Sequence, residues 1–223
     1  MSDARTQVRV WDLPTRIVHV LLIALLLTLW ITAEQGWMAW HRWAGYAVLT
    51  LIVFRIYWGL GGSTTARFSH FLRGPRAVRR YAQTFFSKAG CEPSVGHNPL
   101  GGWNVLLMLA LLLLQAGLGL FAVDEYGIES GPLATHVSFE TGRRLAAVHA
   151  AVFNVPLALI LVHVLAVLAH LIFKRENLIG PMVTGVKTGI RGEFPALAFS
   201  AKWHALLAVA VSALAVLILV LTM

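Results

Sequence analysis

Charged residues and cysteine are both scarce in this chain. Asp, Glu, Lys and Arg together make up 13% of its 223 residues, against 58% for apolar residues. Soluble domains carry about 25% charged residues, so the composition excludes an ordinary soluble domain and indicates an integral membrane protein. Cys91 is the one cysteine, which excludes a disulfide framework and an iron–sulfur cluster, because both need several thiols. A CxxCH motif is missing as well, which excludes covalently attached c-type haem.

Long apolar runs dominate the chain instead. A hydrocarbon layer about 30 Å thick needs roughly 20 predominantly apolar residues per helical span. Five runs approach this length, and the first is not expected to be a signal peptide because no small-residue cleavage site follows it. The predicted fold class is therefore an all-α integral membrane protein, with a four-helix transmembrane bundle and a fifth transmembrane helix. The predicted spans are about 16–33, 43–61, 103–123, 146–173 and 203–222.

The formal net charge of +8 is distributed unevenly. Arg and Lys fill the N-terminal segment and the second and fourth connections, whereas the first and third connections carry few of them and several acids. The positive-inside rule then predicts a multi-pass protein of the bacterial inner membrane, with a cytoplasmic N-terminus and a periplasmic C-terminus. The Arg-rich stretch 67–80 would lie against anionic lipid headgroups. Because topology explains the charge, no nucleic-acid partner is expected.

Four histidines lie at or inside the apolar runs: His19, His41, His149 and His163. An ionisable side chain in a bilayer is expensive, so each is a candidate functional residue. His149 and His163 are fourteen residues apart on one predicted helix. Fourteen residues are close to four turns, so both imidazoles face the same way and lie about 21 Å apart. This spacing suits two flat cofactors held one above the other, near opposite faces of the membrane.

Depth in the membrane pairs these histidines. His19 lies near the inner end of the first predicted helix, level with His163, and His41 starts the second helix at the outer side, level with His149. Helix bundles build cofactor sites from side chains on facing helices. We therefore predict two haems b, each with one of these pairs as its axial iron ligands. A single histidine could instead join two helices by a hydrogen bond, but four at matched depths favour ligation.

Glycines near the predicted ligands fit a flat cofactor. Gly45 lies one turn after His41 on the same helix face, where the missing side chain lets a macrocycle approach the backbone. Gly117 and Gly119 could serve the same purpose on the third predicted helix, although small residues also mediate plain helix packing. Gly45 is accordingly a predicted cofactor-binding residue.

Arg16, Arg55 and His170 complete the predicted cofactor-binding residues. The two arginines could pair with haem propionates, and ordinary topogenic arginines are an equally good explanation. His170 follows His163 by seven residues on the same face. It could replace His163 as the inner ligand, or lie at the interface on the propionate side. The other histidines are expected to be solvated or turn residues: His70, His97, His136 and His204.

Four sequence stretches carry a resemblance. They are WDLPTRIVH from Trp11 to His19, HRWAGYAVLTLIVFRIYWGLGGSTTARF from His41 to Phe68, GHNPLGG at 96–102, and the pair His149 and His163. Together they resemble the prokaryotic cytochrome b561 family and are similar to the b-type cytochrome subunit of nickel–iron hydrogenases, over residues 9 to about 175. The resemblance implies a four-helix core with two haems b and the four histidines as ligands. It also implies electron transfer between the membrane quinone pool and an external redox partner.

The predicted function is that of an electron-transfer subunit in an oxidoreductase system. Residues 1–175 are the predicted di-haem bundle, and residues 176–223 an inner loop with an additional transmembrane helix. Quinone is expected at the inner haem, and a periplasmic hydrogenase or cytochrome c at the outer face; a homodimer is left open. One alternative is a metal-ion transporter, which would need ligands clustered at one depth. The other is a non-redox membrane anchor whose histidines join helices.

Overall fold

The computed structural model describes residues 7–85, 95–188 and 196–221. Most of this part of the chain is helical, and five of its spans are long and apolar enough to cross a membrane, which confirms the predicted all-α membrane fold. Cys91 lies outside the described residues. The helices are α1 (Leu13–Glu34), α2 (Met38–Gly61), α3 (Phe68–Phe71), α4 (Pro75–Thr84), α5 (Pro99–Phe121), α6 (Phe139–Val152), α7 (Asn154–Phe173), α8 (Ile179–Thr184) and α9 (Lys202–Leu221).

Capping residues start two of the spans earlier than the apolar pattern indicates. The Asp12 Oδ1 atom accepts a hydrogen bond from the Thr15 backbone N–H at 2.9 Å, so α1 begins three residues before the predicted position. Asn98 caps α5 in the same way, with its Oδ1 atom 2.7 Å from the Gly101 nitrogen. A cap satisfies free N–H groups in the first turn. Polar caps therefore extend a helix beyond the run of apolar side chains that predicts it.

The fourth span consists of two helices instead of the single predicted one. Helices α6 and α7 meet at Phe153. Pro156 has no backbone N–H and cannot bond to the carbonyl of Val152, which weakens the helix at this point. The Leu157 N–H still bonds to the Phe153 carbonyl at 3.2 Å. The chain therefore continues as one membrane span, Phe139–Phe173, with a break between His149 and His163.

Helices α1 and α2 form an antiparallel hairpin with a defined register. A tight turn joins them, with Gly36 at a φ of +68° that favours glycine. At one end of the hairpin the Leu29 carbonyl lies 3.0 Å from the His41 Nδ1 atom. At the other end the Trp58 Nε1 donates to the Asp12 Oδ2 at 2.8 Å. These two contacts place each residue of α1 opposite a known residue of α2.

The fifth span packs against the outside of this hairpin. Ala205 and Ala208 of α9 are buried in one cluster with Phe54 and Trp58 of α2. Small residues let two helices approach closely. These α2 residues lie on a different helix face from His41 and Gly45. Helix α9 is thus a packing helix on the face of α2 that is turned away from the predicted ligands.

Short polar connections close the end of the bundle where α1 begins. Strand β1 (Gln7–Arg9) pairs antiparallel with β2 (Val186–Thr188), with Val8 opposite Lys187. The Thr65 hydroxyl donates to the Val10 carbonyl at 2.5 Å. Lys187 is 8% exposed and forms an ion pair with Glu176 at 2.5 Å. These contacts join the segment after α7 to the start of the chain.

Two histidine pairs as the candidate cofactor site

Two pairs of histidines meet across the bundle. The imidazole centroids of His41 and His149 lie 6.2 Å apart with an interplanar angle of 83°. Those of His19 and His163 lie 6.4 Å apart at 64°. We call the first the outer pair and the second the inner pair, after the predicted topology. The structure thus brings together the same partners that were matched by depth in the sequence.

The separation within each pair is informative. The ring centroids lie 6.2 Å apart in the outer pair and 6.4 Å apart in the inner pair, with the rings steeply inclined to each other. Metal–imidazole bonds are about 2.0–2.1 Å long. Two such bonds, together with the distance from each ring nitrogen to its centroid, account for a separation of this size. Each pair therefore fits a single metal ion ligated from two opposite sides.

Hydrogen bonds orient the outer pair. The His41 Nδ1 atom lies 3.0 Å from the Leu29 carbonyl, and the His149 Nδ1 atom 3.0 Å from the Gln115 carbonyl. A carbonyl oxygen only accepts, so Nδ1 is the donor in both rings. In a neutral imidazole the proton on Nδ1 leaves a lone pair on Nε2. Both outer histidines are thus held in the tautomer that binds a metal through Nε2.

Glycines leave room around the outer pair. A Cβ atom added at Gly119 would lie 3.1 Å from the His149 Cε1 atom, so this position admits no side chain without displacing the imidazole. At Gly117 such a Cβ would meet nothing within 4 Å, and at Gly45 only the Leu29 side chain at 4.0 Å. The site is therefore crowded between Gly119 and His149, and open beside Gly117 and Gly45. This arrangement fits a flat macrocycle in the open space.

His170 lies apart from the inner pair. Its Nδ1 atom donates to the Ala166 carbonyl at 2.9 Å, which leaves Nε2 as an acceptor. That Nε2 atom lies 2.9 Å from the Tyr81 hydroxyl and 3.4 Å from the Asn98 Nδ2 atom. Both nitrogens of His170 are thus engaged in hydrogen bonds. The structure places His163, and not His170, opposite His19.

The two predicted propionate arginines have different surroundings. Arg16 donates to the carbonyls of Met182 and Val183, with its Nε atom 3.2 Å from the former, and thereby ties α1 to the end of α8. Arg55 is 5% exposed, and its Nη1 atom donates to the Ala66 carbonyl at 3.2 Å. Arg16 is thus used for packing. Arg55 is a buried cation whose guanidinium also lies over the Phe68 ring, 5.5 Å from its centroid.

His97 is a residue whose position the sequence did not reveal. It was expected to be a solvated or turn histidine. The structure places its ring between Trp11 and Phe71, with centroid distances of 4.7 and 4.6 Å. Burial, and then the nearby Arg55 guanidinium, lower the pKa of His97 to about 3, so the imidazole is neutral at physiological pH. The only sequence signal is its place in the stretch GHNPLGG, just before the Asn98 cap.

The described residues offer no denser cluster of metal ligands. Within the ranges 7–85, 95–188 and 196–221, no group of three or more His, Cys, Asp or Glu side chains is placed to hold a metal ion. A transported transition metal is usually held by such a cluster. A haem iron needs only two axial ligands from the protein, because the macrocycle supplies the other four. The donor set of two imidazoles per layer therefore fits haem better than a bare metal ion.

Comparison with known proteins points to one family. The family model described as prokaryotic cytochrome b561 matches residues 10–185. The matched range includes both histidine pairs and ends before α9. No curated protein and no solved structure matches the chain.

Proposed function

We propose, from the premise that this chain belongs to the prokaryotic cytochrome b561 family, that it carries electrons across the membrane through two haems b, one at each histidine pair. Membership of this family makes the chain a multi-pass membrane b-type cytochrome of electron transfer. The observation that carries the finer proposal is the presence of two imidazole pairs, each with a centroid separation that two imidazoles bound to one iron would have. Haem b supplies an iron that alternates between the ferric and ferrous states.

The residues of this chain set the conditions for that exchange. Each histidine pair would hold one haem through its two imidazoles, and the iron would then exchange electrons without binding oxygen or a substrate. The Leu29 and Gln115 carbonyls fix the tautomers of the outer pair and raise the basicity of these ligands. Basic ligands stabilise the ferric state and thereby influence the reduction potential.

We propose that quinone exchanges electrons with the inner pair. The polar cluster of His170, Tyr81 and Asn98 supports this placement, because a quinone carbonyl close to the end of α7 would replace the His170 Nε2 atom as the acceptor for the hydroxyl and the amide. A quinone carbonyl needs such hydrogen-bond donors.

We propose that a periplasmic redox protein, a hydrogenase or a cytochrome c, docks at the opposite end. The connection between α5 and α6 is held in place there by an ion pair between Glu129 and Arg42 of α2. Its tip exposes Tyr126 and Ile128, which are 79% and 78% accessible, beside Glu125. Exposed aromatic and aliphatic side chains next to charge are typical of protein interfaces. In this topology the N-terminus is cytoplasmic and the C-terminus periplasmic.

Haem content is the decisive test. Purified protein is expected to show a reduced-minus-oxidised spectrum of six-coordinate haem b and about two haems per chain by pyridine haemochrome. His149→Ala should remove only the outer haem and His163→Ala only the inner one, since each substitution deletes one axial ligand. His136→Ala, in the outer connection and outside both pairs, is the matched control and should retain both haems.

Other outcomes would reject parts of the proposal. One haem per chain in the wild-type protein would mean that one of the two pairs does not ligate iron. Absence of haem together with a bound transition metal would favour the transporter. Absence of both would favour the non-redox anchor.

A further inference from the structure

Two polar side chains near the inner pair each have a buried atom without a hydrogen-bond partner, and a buried arginine lies close to them. The structure gives no hydrogen-bond partner in the described residues to the Thr15 Oγ1 atom or to the His97 Nδ1 atom, and both atoms are inaccessible to solvent. Arg55 is buried close by and uses one of its N–H groups on a carbonyl. Buried donors and acceptors without partners are rare in native proteins and need an explanation.

The register of the α1–α2 hairpin shows where these groups lie. The contacts of Leu29 with His41 and of Asp12 with Trp58 place His19 opposite Leu51. Arg55 is therefore about one turn, or about 6 Å, closer to the start of α1 than the inner pair. Thr15 precedes His19 by four residues, so it lies one turn below it on the same face of α1.

Arg55 also lies on the ligand-bearing face of its own helix. It follows His41 by fourteen residues in the unbroken helix α2, which is close to four whole turns and about 21 Å. His163 has the same spacing from His149 in the fourth span. Arg55 therefore lies on the same face of α2 as His41, one turn beyond the inner pair.

His97, in the connection before α5, lies close to Arg55 and to the inner pair. It interacts electrostatically with Arg55 and with both inner histidines, His19 and His163. Its ring is fixed between two aromatic side chains. The three polar groups thus come from three separate segments and converge beside the inner pair, on its side towards the start of α1.

The Arg55 guanidinium has no direct counter-ion among the described residues. In the described part of the chain no carboxylate lies within ion-pair distance of it. Asp12 is near enough to interact with Arg55 electrostatically, but its two oxygens accept from the Thr15 N–H and the Trp58 indole. A second carboxylate at this position would satisfy Arg55 and could accept hydrogen bonds from Thr15 and His97.

We infer that Thr15, Arg55 and His97 form a receptor for a propionate carboxylate of the inner haem. The inference rests on the proposed binding of haem by His19 and His163. A propionate extends from the edge of the macrocycle, so a receptor one turn away from the axial histidines is at the appropriate depth. The guanidinium balances its charge, and the hydroxyl and the neutral imidazole donate hydrogen bonds to its oxygens.

Two mild substitutions in the full-length haem-loaded protein test this inference. Thr15→Val removes the hydroxyl and keeps the side-chain shape, and the backbone N–H of residue 15 still bonds to Asp12. His97→Ala removes the imidazole. Thr28→Val on the same helix, where the hydroxyl bonds only within α1, and His136→Ala are the matched controls. Arg55→Gln is a supporting variant only, because the loss of a buried charge could perturb folding.

The measurements are potentiometric titration and the transfer of haem to an apomyoglobin scavenger. Thr15→Val and His97→Ala should shift the midpoint potential of the inner haem to more negative values, because a less neutralised carboxylate favours ferric iron. They should also release the inner haem about tenfold faster or more, as expected for the loss of a charge-assisted hydrogen bond. The outer haem and both control variants should keep wild-type values. The inner haem is identified by its loss in His163→Ala.

The outcomes separate this inference from the proposed function. If both test variants bind two haems and match the controls in inner-haem potential and release rate, the receptor is refuted while the di-haem cytochrome stands. If the wild-type protein binds no haem at the inner pair, the proposed function fails, and the receptor fails with it.

Discussion

A side chain at position 119 should remove the outer haem selectively. The Cβ of Gly119→Ala would lie 3.1 Å from the His149 Cε1 atom and 3.4 Å from its Nδ1 atom. These distances are short for contacts of a Cβ atom. Gly119→Val adds two further methyl groups at the same position. The imidazole cannot retreat freely, because its Nδ1 atom is bound to the Gln115 carbonyl. The substitution therefore displaces the ring from the position in which it faces His41.

The size of the effect follows from packing energetics. Inserting methyl groups into a packed site costs about 1–3 kcal/mol, which corresponds to a roughly 5- to 150-fold weaker outer haem site. Gly119→Ala should have a small effect and Gly119→Val a large one. Gly74→Ala, at the start of α4 and outside the candidate site, adds a Cβ that meets no atom within 4 Å and serves as the control for a glycine-to-alanine change.

The assay is the ratio of the outer to the inner haem in purified protein. It is obtained from the pyridine haemochrome content and from a potentiometric titration that resolves the two centres. Gly119→Val should lose the outer haem and keep the inner one. A Gly119→Val protein with two haems and an unchanged outer potential would refute the reasoning, because the imidazole would then tolerate displacement.

Three further predictions concern other parts of the molecule. His170→Phe should retain both haems in the difference spectrum, because His163 is the residue that faces His19. Trp58→Phe should lower stability by about 1.5–3 kcal/mol, the usual value of a hydrogen bond to a charged acceptor, because it removes the indole donor to Asp12; thermal unfolding in detergent measures it. A phosphatase reporter fused after residue 223 should be active in the periplasm, in accord with the positive-inside rule.

Each of these three predictions can be checked against a control variant or against a result that would contradict it. Loss of the inner haem in His170→Phe would mean that His163 is not the ligand. Trp103→Phe, which deletes an exposed indole bound to the Arg73 carbonyl, should be less destabilising than Trp58→Phe; equal losses would show that the Asp12 contact is not special. For the topology, a fluorescent reporter that is active only in the cytoplasm should fail at the same fusion point.

Much of the candidate site could be predicted because the relevant spacings are local. His149 and His163 are separated by about four turns, and this separation survives the break at Phe153. Pairing across helices needed only the depth of each histidine, which follows from its distance to a span end. The choice between His163 and His170 could not be made in this way, since seven residues are two turns and both side chains share one face.

The residues of the proposed propionate receptor, in contrast, could not be predicted from the sequence. Thr15 looks like an ordinary residue of a first helical turn, and His97 lies in a connection whose path no periodicity describes. Their proximity depends on the hairpin register and on the packing of the α4–α5 connection against Trp11 and Phe71. Contacts of this kind arise between segments that are distant in sequence.

The sequence by itself determined the membrane class, the number of spans and the two layers of histidines. These depend on hydropathy and helical periodicity, which act over neighbouring residues. Only the tertiary structure decided which histidine faces His19, that α9 packs on the far side of α2, and that His97 is enclosed with Arg55. Such features depend on the rotation and register of packed helices, and side-chain shape sets these only when all the helices have assembled.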